Sequence, residues 1–236
     1  HDCYVKQLTC SKVEEHKHSA QCSSNADAVE SEEDWKTAFK NIQPGEDLSA
    51  YLAQIASSQV GYRESSENFN LMTSNGTDYL FGYTRYGHWY ENYLRNLAEK
   101  EYQNAGMEVP EDLDIQEYRY GDWDTLFVSF CLYYAGAAEM GIQMTSDASD
   151  LYDQFNKIDQ SLQTSYYLAQ EEAQANGEEA SDLEEPQRMV VSADDADYIV
   201  KAGDIAFFDV DKDGTADYSG IVTAVEERQD DSANEE

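Results

Sequence analysis

Cationic side chains are scarce in this sequence. Its 236 residues contain 15 Lys and Arg against 49 Asp and Glu, so the formal net charge is −34. Such a chain repels the phosphates of nucleic acids and the anionic surface of a membrane. Long hydrophobic runs are missing as well, since no stretch approaches the roughly 20 apolar residues that span a bilayer. We therefore expect neither nucleic-acid binding nor membrane insertion.

Cysteine and histidine are few and unevenly spread. Three of the four Cys and three of the four His lie in the first 22 residues. A unit of that size is too short to bury a hydrophobic core, so something else must order it. Three Cys and one His would complete a tetrahedral zinc site, while one disulfide with a spare thiol is the alternative. The predicted zinc ligands are Cys3, Cys10, His16, His18 and Cys22.

The remaining composition indicates a folded domain with acidic connections. Hydrophobic residues make up 41% and aromatic residues 12% of the chain, too many for simple disorder. Much of the acid must then lie outside a core. We predict four parts: a Cys/His unit over 1–22, an acidic linker and short helix containing Trp35 and Phe39 over 23–45, a main domain over 46–225, and an acidic tail or linker over 226–236.

The apolar pattern predicts an α+β fold. A helix begins near Asp47 and ends near Gly61, and another covers residues 150–172. Residues 123–136 are apolar almost all round, which predicts a central, buried helix. Residues 62–120 indicate a loop-rich stretch with a turn at Asn75 and Gly76, and residues 205–208 and 221–225 indicate two short strands. Helices first and strands last are typical of α+β proteins.

An Asp-rich loop separates the two predicted strands. Alternate carboxylates and one Gly can converge on a hard cation, as calcium loops do. An EF-hand is excluded, because Gly220 stands where its bidentate Glu is required. An acidic hairpin turn without metal is the alternative. The predicted calcium ligands are the carboxylates of Asp209, Asp211, Asp213 and Asp217 and the backbone carbonyl of Thr215.

The sequence makes a weak case for catalysis. A Cys nucleophile needs a nearby His, and after residue 22 the chain offers only Cys131 and His88. Cys131 lies within the apolar helix, where burial raises the pKa of a thiol and lowers its reactivity. His88 lies among aromatic residues, whose stacking explains it without catalysis. No Ser/His/Asp arrangement and no phosphate-binding glycine loop is visible.

Five ordered blocks carry a resemblance to a known family: residues 55–65, Asn68, 82–90, 120–136, and 202–209 together with 220–222. Over about residues 46–225 the chain resembles the CHAP-type cysteine amidohydrolase/peptidase domains of Gram-positive gut bacteria. The resemblance implies a papain-like fold, with a central helix packed on a small antiparallel sheet, and cleavage of peptidoglycan peptides. Residues 1–22 resemble Cys/His repeats of large surface proteins of gut Firmicutes, which implies a section of a larger extracellular protein.

The chain departs from the family at its catalytic positions. The resemblance places the nucleophile at Asp124, directly after a Trp, and the general base at Tyr218. A carboxylate cannot replace a thiolate in this acyl transfer, and Tyr is a poor base near neutral pH. A strand for the third member of the triad has no clear counterpart before Glu236. We therefore expect a pseudoenzyme.

Three functions follow from this interpretation. The first is a non-catalytic binding or scaffold module, secreted or on a bacterial surface, that holds a cell-wall peptide or glycan, or a host protein such as a glycoprotein or immunoglobulin. The second is an active hydrolase that uses Asp124, or Cys131 with His88. The third is a structural spacer. The residues predicted to frame a binding cleft, or alternatively to pack the interior, are Tyr83, Tyr86, His88, Trp89, Tyr90 and Trp123.

Overall fold

The computed structural model describes residues 24–45, 47–74, 76–176 and 183–226. This part of the chain is mixed α+β, as predicted, with five α-helices and two two-stranded antiparallel sheets. In chain order the elements are α1 (Glu32–Thr37), α2 (Leu48–Ser58), β1 (Phe69–Ser74), β2 (Thr77–Gly82), α3 (Arg85–Asn104), α4 (Asp124–Ala135), α5 (Ala148–Asn176), β3 (Ile205–Phe208) and β4 (Tyr218–Ile221). The predicted zinc ligands lie outside the described residues.

Helix α4 is the centre of the core. Val128, Phe130 and Cys131 are fully buried, and further buried residues cover most of the helix circumference. The helix packs against α2, α3 and β4. The prediction of a central buried helix is confirmed, because a helix without a polar face must be covered on every side.

The predicted start of α2 and the predicted residues of β3 are also confirmed. The Asp47 carboxylate accepts the N–H groups of Ser49 and Ala50 and so caps α2 at its predicted start. β3 occupies its predicted residues. Its partner β4 runs Tyr218–Ile221, however, rather than 221–225, because the Asp-rich connection is short enough for the strands to pair as far as Phe208 and Tyr218.

Residues 62–120 contain more regular structure than the predicted loop-rich stretch. This stretch contains the β1–β2 hairpin and α3, a helix of 20 residues. Tyr86, Trp89 and Tyr90 follow helical spacing and are buried on one face of α3. Helix α3 starts at Thr84, whose side chain accepts the N–H of Gly87. The dense aromatic stretch concealed this amphipathic pattern.

Residues 24–45 do not form a free linker. Trp35 is 1% exposed and its Nε1 donates to the Tyr134 hydroxyl at 3.0 Å. The Ser24 hydroxyl donates to the Phe69 carbonyl at 2.7 Å. Glu30 pairs with Arg85, whose Nη2 donates to Glu30 Oε1 at 2.9 Å. The predicted short helix is present as α1, and these contacts join residues 24–45 to the rest of the described chain.

None of the helices within the described ranges is long and apolar enough to cross a membrane.

Candidate functional site

The first turn of α4 meets the start of β4. Asp124 Oδ2 accepts the backbone N–H of Ser219 at 3.1 Å, although the two residues are 95 positions apart. The Ser219 hydroxyl donates to Thr125 Oγ1 at 3.0 Å, and Thr125 Oγ1 donates to Asp124 Oδ2 at 3.3 Å. Asp124, Thr125 and Ser219 thus form a closed hydrogen-bond ring, which we call the α4–β4 junction.

The hydrogen bonds of the junction have simple causes. A carboxylate in the first turn of a helix is favoured by the partial positive charge of the helix N-terminus. Ser219 donates its N–H to this carboxylate rather than to β3, so Asp124 satisfies a strand group that would otherwise lack a partner. Ser219 and Thr125 are 6% and 2% exposed, so their buried hydroxyls require hydrogen-bond partners, and each hydroxyl supplies one for the other.

Tyr218 does not point at Asp124. Successive side chains of a strand lie on opposite faces, so Ser219 faces α4 while Tyr218 lies on the outer face of the sheet. There it opposes Phe208, and each of these two rings is about half exposed. The residue that reaches the predicted nucleophile position is Ser219.

Only one of the six predicted cleft residues borders the junction. Trp123 directly precedes Asp124 and is partly buried. Its ring stacks on Tyr86, with centroids 5.2 Å apart, and meets the edge of Tyr62 at 5.9 Å. The half-exposed rings of Phe208 and Tyr218 lie on the outer face of the sheet, and we call this pair the aromatic rim.

Four of the other five cleft predictions belong to the interior. Tyr83, Tyr86, Trp89 and Tyr90 are each between 1% and 6% exposed. Trp89 and Tyr86 pack edge-on against Phe130 at 5.5 and 5.2 Å. Of the two interpretations left open by the sequence, packing describes these rings, because the aromatic face of α3 is turned towards α4.

His88 is held in place as a neutral, structural side chain. Its Nδ1 lies 2.7 Å from the Tyr83 hydroxyl, and its ring meets Trp35 edge-on at 5.7 Å. Burial lowers the pKa of His88, and the nearby Arg119 cation lowers it further. The imidazole is therefore uncharged at neutral pH and already has a hydrogen-bond partner.

Cys131 is unsuited to nucleophilic chemistry. It is fully buried in α4, and burial alone raises the pKa of its thiol far above the usual range. In the described ranges, no hydrogen bond or ring contact joins it to His88. The pairing of Cys131 with His88 as a catalytic dyad receives no support from this geometry.

The β3–β4 connection gathers three of the four predicted calcium carboxylates. Oxygen atoms of Asp209, Asp211 and Asp217 lie within 4.8 Å of one another, and all three side chains are exposed. Asp217 Oδ2 also accepts the N–H of Val210 at 2.7 Å, and Asp209 Oδ2 that of Gly214 at 3.0 Å. An all-oxygen set of this kind suits a hard divalent cation.

Asp213 is turned towards its own neighbour. Its Oδ1 accepts both the N–H and the hydroxyl of Thr215, and these hydrogen bonds lower the pKa of Asp213. Two unusual backbone positions, Lys212 at φ 64° and Gly214 at φ 94°, fold the connection back on itself. The loop thus converges as the spacing predicted, with Asp213 shaping it rather than joining the triad.

Sequence reasoning missed Thr125 and Ser219. Thr125 directly precedes the apolar run of α4, and Ser219 lies shortly before Ile221 and Val222. A buried hydroxyl requires a partner, and that requirement was the available signal. It could not identify the partner, because the two residues are separated by 94 positions.

Comparisons of this chain with protein-family models, with curated proteins and with solved structures find no match.

Proposed function

We propose that the chain is a non-catalytic binding module of a secreted or cell-surface bacterial protein, a degenerate relative of the CHAP amidases and peptidases. The observation that carries the proposal is the α4–β4 junction. At the position where the family resemblance requires a nucleophile, the Asp124 carboxylate is occupied by the Ser219 N–H and the Thr125 hydroxyl. These two hydrogen bonds give the Asp124 carboxylate a structural role, which supports a binding module rather than a hydrolase.

Acyl transfer needs a nucleophile and a base within hydrogen-bond reach of each other. Within the described ranges the only thiol is the buried Cys131, and the only imidazole is His88, which is bonded to Tyr83. The hydroxyls of the junction are buried and bonded to each other. These contacts favour a binding role over the alternative of a hydrolase with altered residues.

The aromatic rim supplies the contact surface of the proposed module. Exposed Trp and Tyr rings bury large areas against sugars and peptides at small entropic cost. Tyr218 and Phe208 are about half exposed and lie side by side on β4 and β3. The ligand class we propose is a cell-wall peptide or glycan. A host glycoprotein or an immunoglobulin would use the same rings, and the binding experiment separates these partners.

Binding of soluble peptidoglycan fragments tests this function. We expect Tyr218→Ser to weaken the binding measured by calorimetry about tenfold, because one exposed aromatic anchor contributes about 1–2 kcal/mol. Tyr79→Ser is the matched control, since Tyr79 is equally exposed but lies on β2. Equal affinities of the wild-type chain and both variants would contradict binding through the aromatic rim. Binding to immunoglobulin but not to the fragments would reassign the partner.

We also propose that Asp209, Asp211 and Asp217 bind calcium and stiffen the β3–β4 connection. With a dissociation constant near that of extracellular calcium modules, about 10⁻⁴–10⁻³ M, 10 mM calcium stabilises the fold by about 1.4–2.7 kcal/mol. We expect a rise of about 3–11 °C in the melting temperature. Metal-dependent melting without any ligand binding would favour the structural-spacer function.

The control variants for calcium are Asp211→Ala, which should abolish the rise, and Asp112→Ala, which should retain it. Both remove one exposed carboxylate, but Asp112 lies far from β3 and β4 in sequence and outside the triad. An equal rise in both variants would mean non-specific screening of the net charge.

The zinc site of residues 1–22 remains a proposal, checked by metal analysis before and after chelation.

A further inference from the structure

An open groove lies at the other end of α4. It has a volume of about 500 Å³, and its walls come from the start of α2, the end of α4 and the turn that follows. Because nine residues separate Asp124 from Tyr133 on α4, the groove begins about 14 Å along the helix axis from the α4–β4 junction. The side chains that matter for its chemistry are Leu48, Tyr51, Tyr133, Tyr134, Glu139 and Met140. We call it the α4 groove.

The charge of the α4 groove favours a cation. Glu139 is the only charged residue among those that line it, and its side chain is exposed. None of the ion pairs found among the described residues uses this carboxylate. The groove also lies at the C-terminal end of α4, where the helix dipole places partial negative charge. The net charge of −34 attracts cations towards the whole molecule.

Two tyrosine rings of the groove, those of Tyr133 and Tyr134, are packed against neighbouring rings. Tyr134 accepts a hydrogen bond from Trp35 Nε1 and packs against Phe39, with centroids 4.9 Å apart. Tyr133 is 41% exposed, yet its ring contacts Trp89 at 5.4 Å and Tyr93 at 5.8 Å. A ring that is already fixed loses little conformational entropy when a ligand stacks on it.

One cation of the chain itself already uses this kind of contact. The Lys36 ammonium lies 5.5 Å from the centroid of the Tyr134 ring. Tyrosine faces attract cations through the ring quadrupole. Beside the rings, Leu48 and the half-exposed Met140 offer apolar surface. The groove therefore combines an aromatic face, a carboxylate and an apolar wall.

We propose that the α4 groove binds an arginine side chain of a basic peptide segment in a partner protein. The planar guanidinium stacks on the face of Tyr133 and donates two parallel hydrogen bonds to the Glu139 carboxylate. The aliphatic part of the side chain covers Leu48 and Met140. This site is separate from the aromatic rim and does not depend on the function proposed there.

A pair of peptides tests the proposal by isothermal titration. Acetyl-Gly-Gly-Arg-Gly-Gly-amide is compared with the same peptide carrying citrulline, which has nearly the same shape but no charge. We expect the citrulline peptide to bind at least about tenfold more weakly, because it loses both the cation–π contact and the ion pair. Equal binding of the two peptides, or no binding of the arginine peptide up to millimolar concentration, would overturn the proposal.

Matched variants distinguish binding in the α4 groove from general electrostatic attraction to the acidic chain. Glu139→Gln should weaken binding of the arginine peptide about fivefold or more. Glu172→Gln should leave this binding unchanged, because the exposed Glu172 carboxylate lies on the distal part of α5. Both variants change the net charge equally. An equal loss of affinity in both variants would mean that the effect is non-specific electrostatic attraction, and it would overturn the proposed site. Binding of peptidoglycan fragments should be unchanged in Glu139→Gln, so failure here is distinguishable from failure of the rim.

Discussion

The Trp35→Ala variant is expected to unfold with a free energy about 3–5 kcal/mol below that of the wild-type chain. Trp35 is 1% exposed and is the largest of the fully buried side chains. Its ring packs edge-on against His88, and its Nε1 donates to the Tyr134 hydroxyl. The substitution therefore leaves a cavity and an unpaired hydroxyl. Few single substitutions in a domain of this size cost more.

Urea denaturation followed by circular dichroism measures this loss. Val29→Ala is the control, because Val29 lies in the same acidic segment but is 45% exposed. It should change the free energy of unfolding by less than about 0.5 kcal/mol. If Trp35→Ala had an equally small effect, residues 24–45 would be a linker after all, and the folded body would begin at α2.

The Glu91→Ala variant is expected to lower the free energy of unfolding by about 3 kcal/mol. Glu91 is 7% exposed on α3. Its Oε1 accepts the N–H groups of Tyr118 and Arg119 at 2.7 and 2.8 Å, and its carboxylate pairs with the Arg119 guanidinium. Removing it leaves two backbone donors and one partly buried cation without their acceptor. One third of the Arg119 side chain is exposed, so the expected loss of unfolding free energy is smaller than for a fully buried ion pair.

This contact fixes the loop after α3 against the helix. The two approach so closely that a Cβ on Gly87 would stand 2.0 Å from the Tyr118 carbonyl oxygen. Glu101→Ala is the control for Glu91→Ala, because Glu101 is an exposed carboxylate on the same helix. Urea denaturation with equal losses in both variants would contradict an anchoring role for Glu91.

The elements that could be predicted are those whose signals are local. The carboxylate of Asp47 caps α2 from the preceding residue, and the apolar run of α4 has no polar face to place outside. The Asp-rich connection converges because its carboxylates lie within nine residues, where the sequence spacing alone limits their geometry. Local chemistry of this kind is visible without the fold.

The features that could not be predicted depend on distant partners. The acidic residues around Trp35 resembled a linker, but Glu30 meets Arg85 and Trp35 meets Tyr134 only after folding. The same holds for Asp124 and Ser219. Whether an aromatic side chain forms a rim or a core is decided by the element opposite it, which explains why Tyr86 is buried while Tyr218 is not.

The most direct test of the central claim is the incubation of the wild-type chain with insoluble, fluorescently labelled peptidoglycan. Protein in the pellet and label in the supernatant are measured together. A module that binds through the rim and lacks a nucleophile should sediment with the polymer and release no label above the buffer control. Release of label by the wild-type chain that is lost in Asp124→Ala would contradict the claim and identify an active hydrolase.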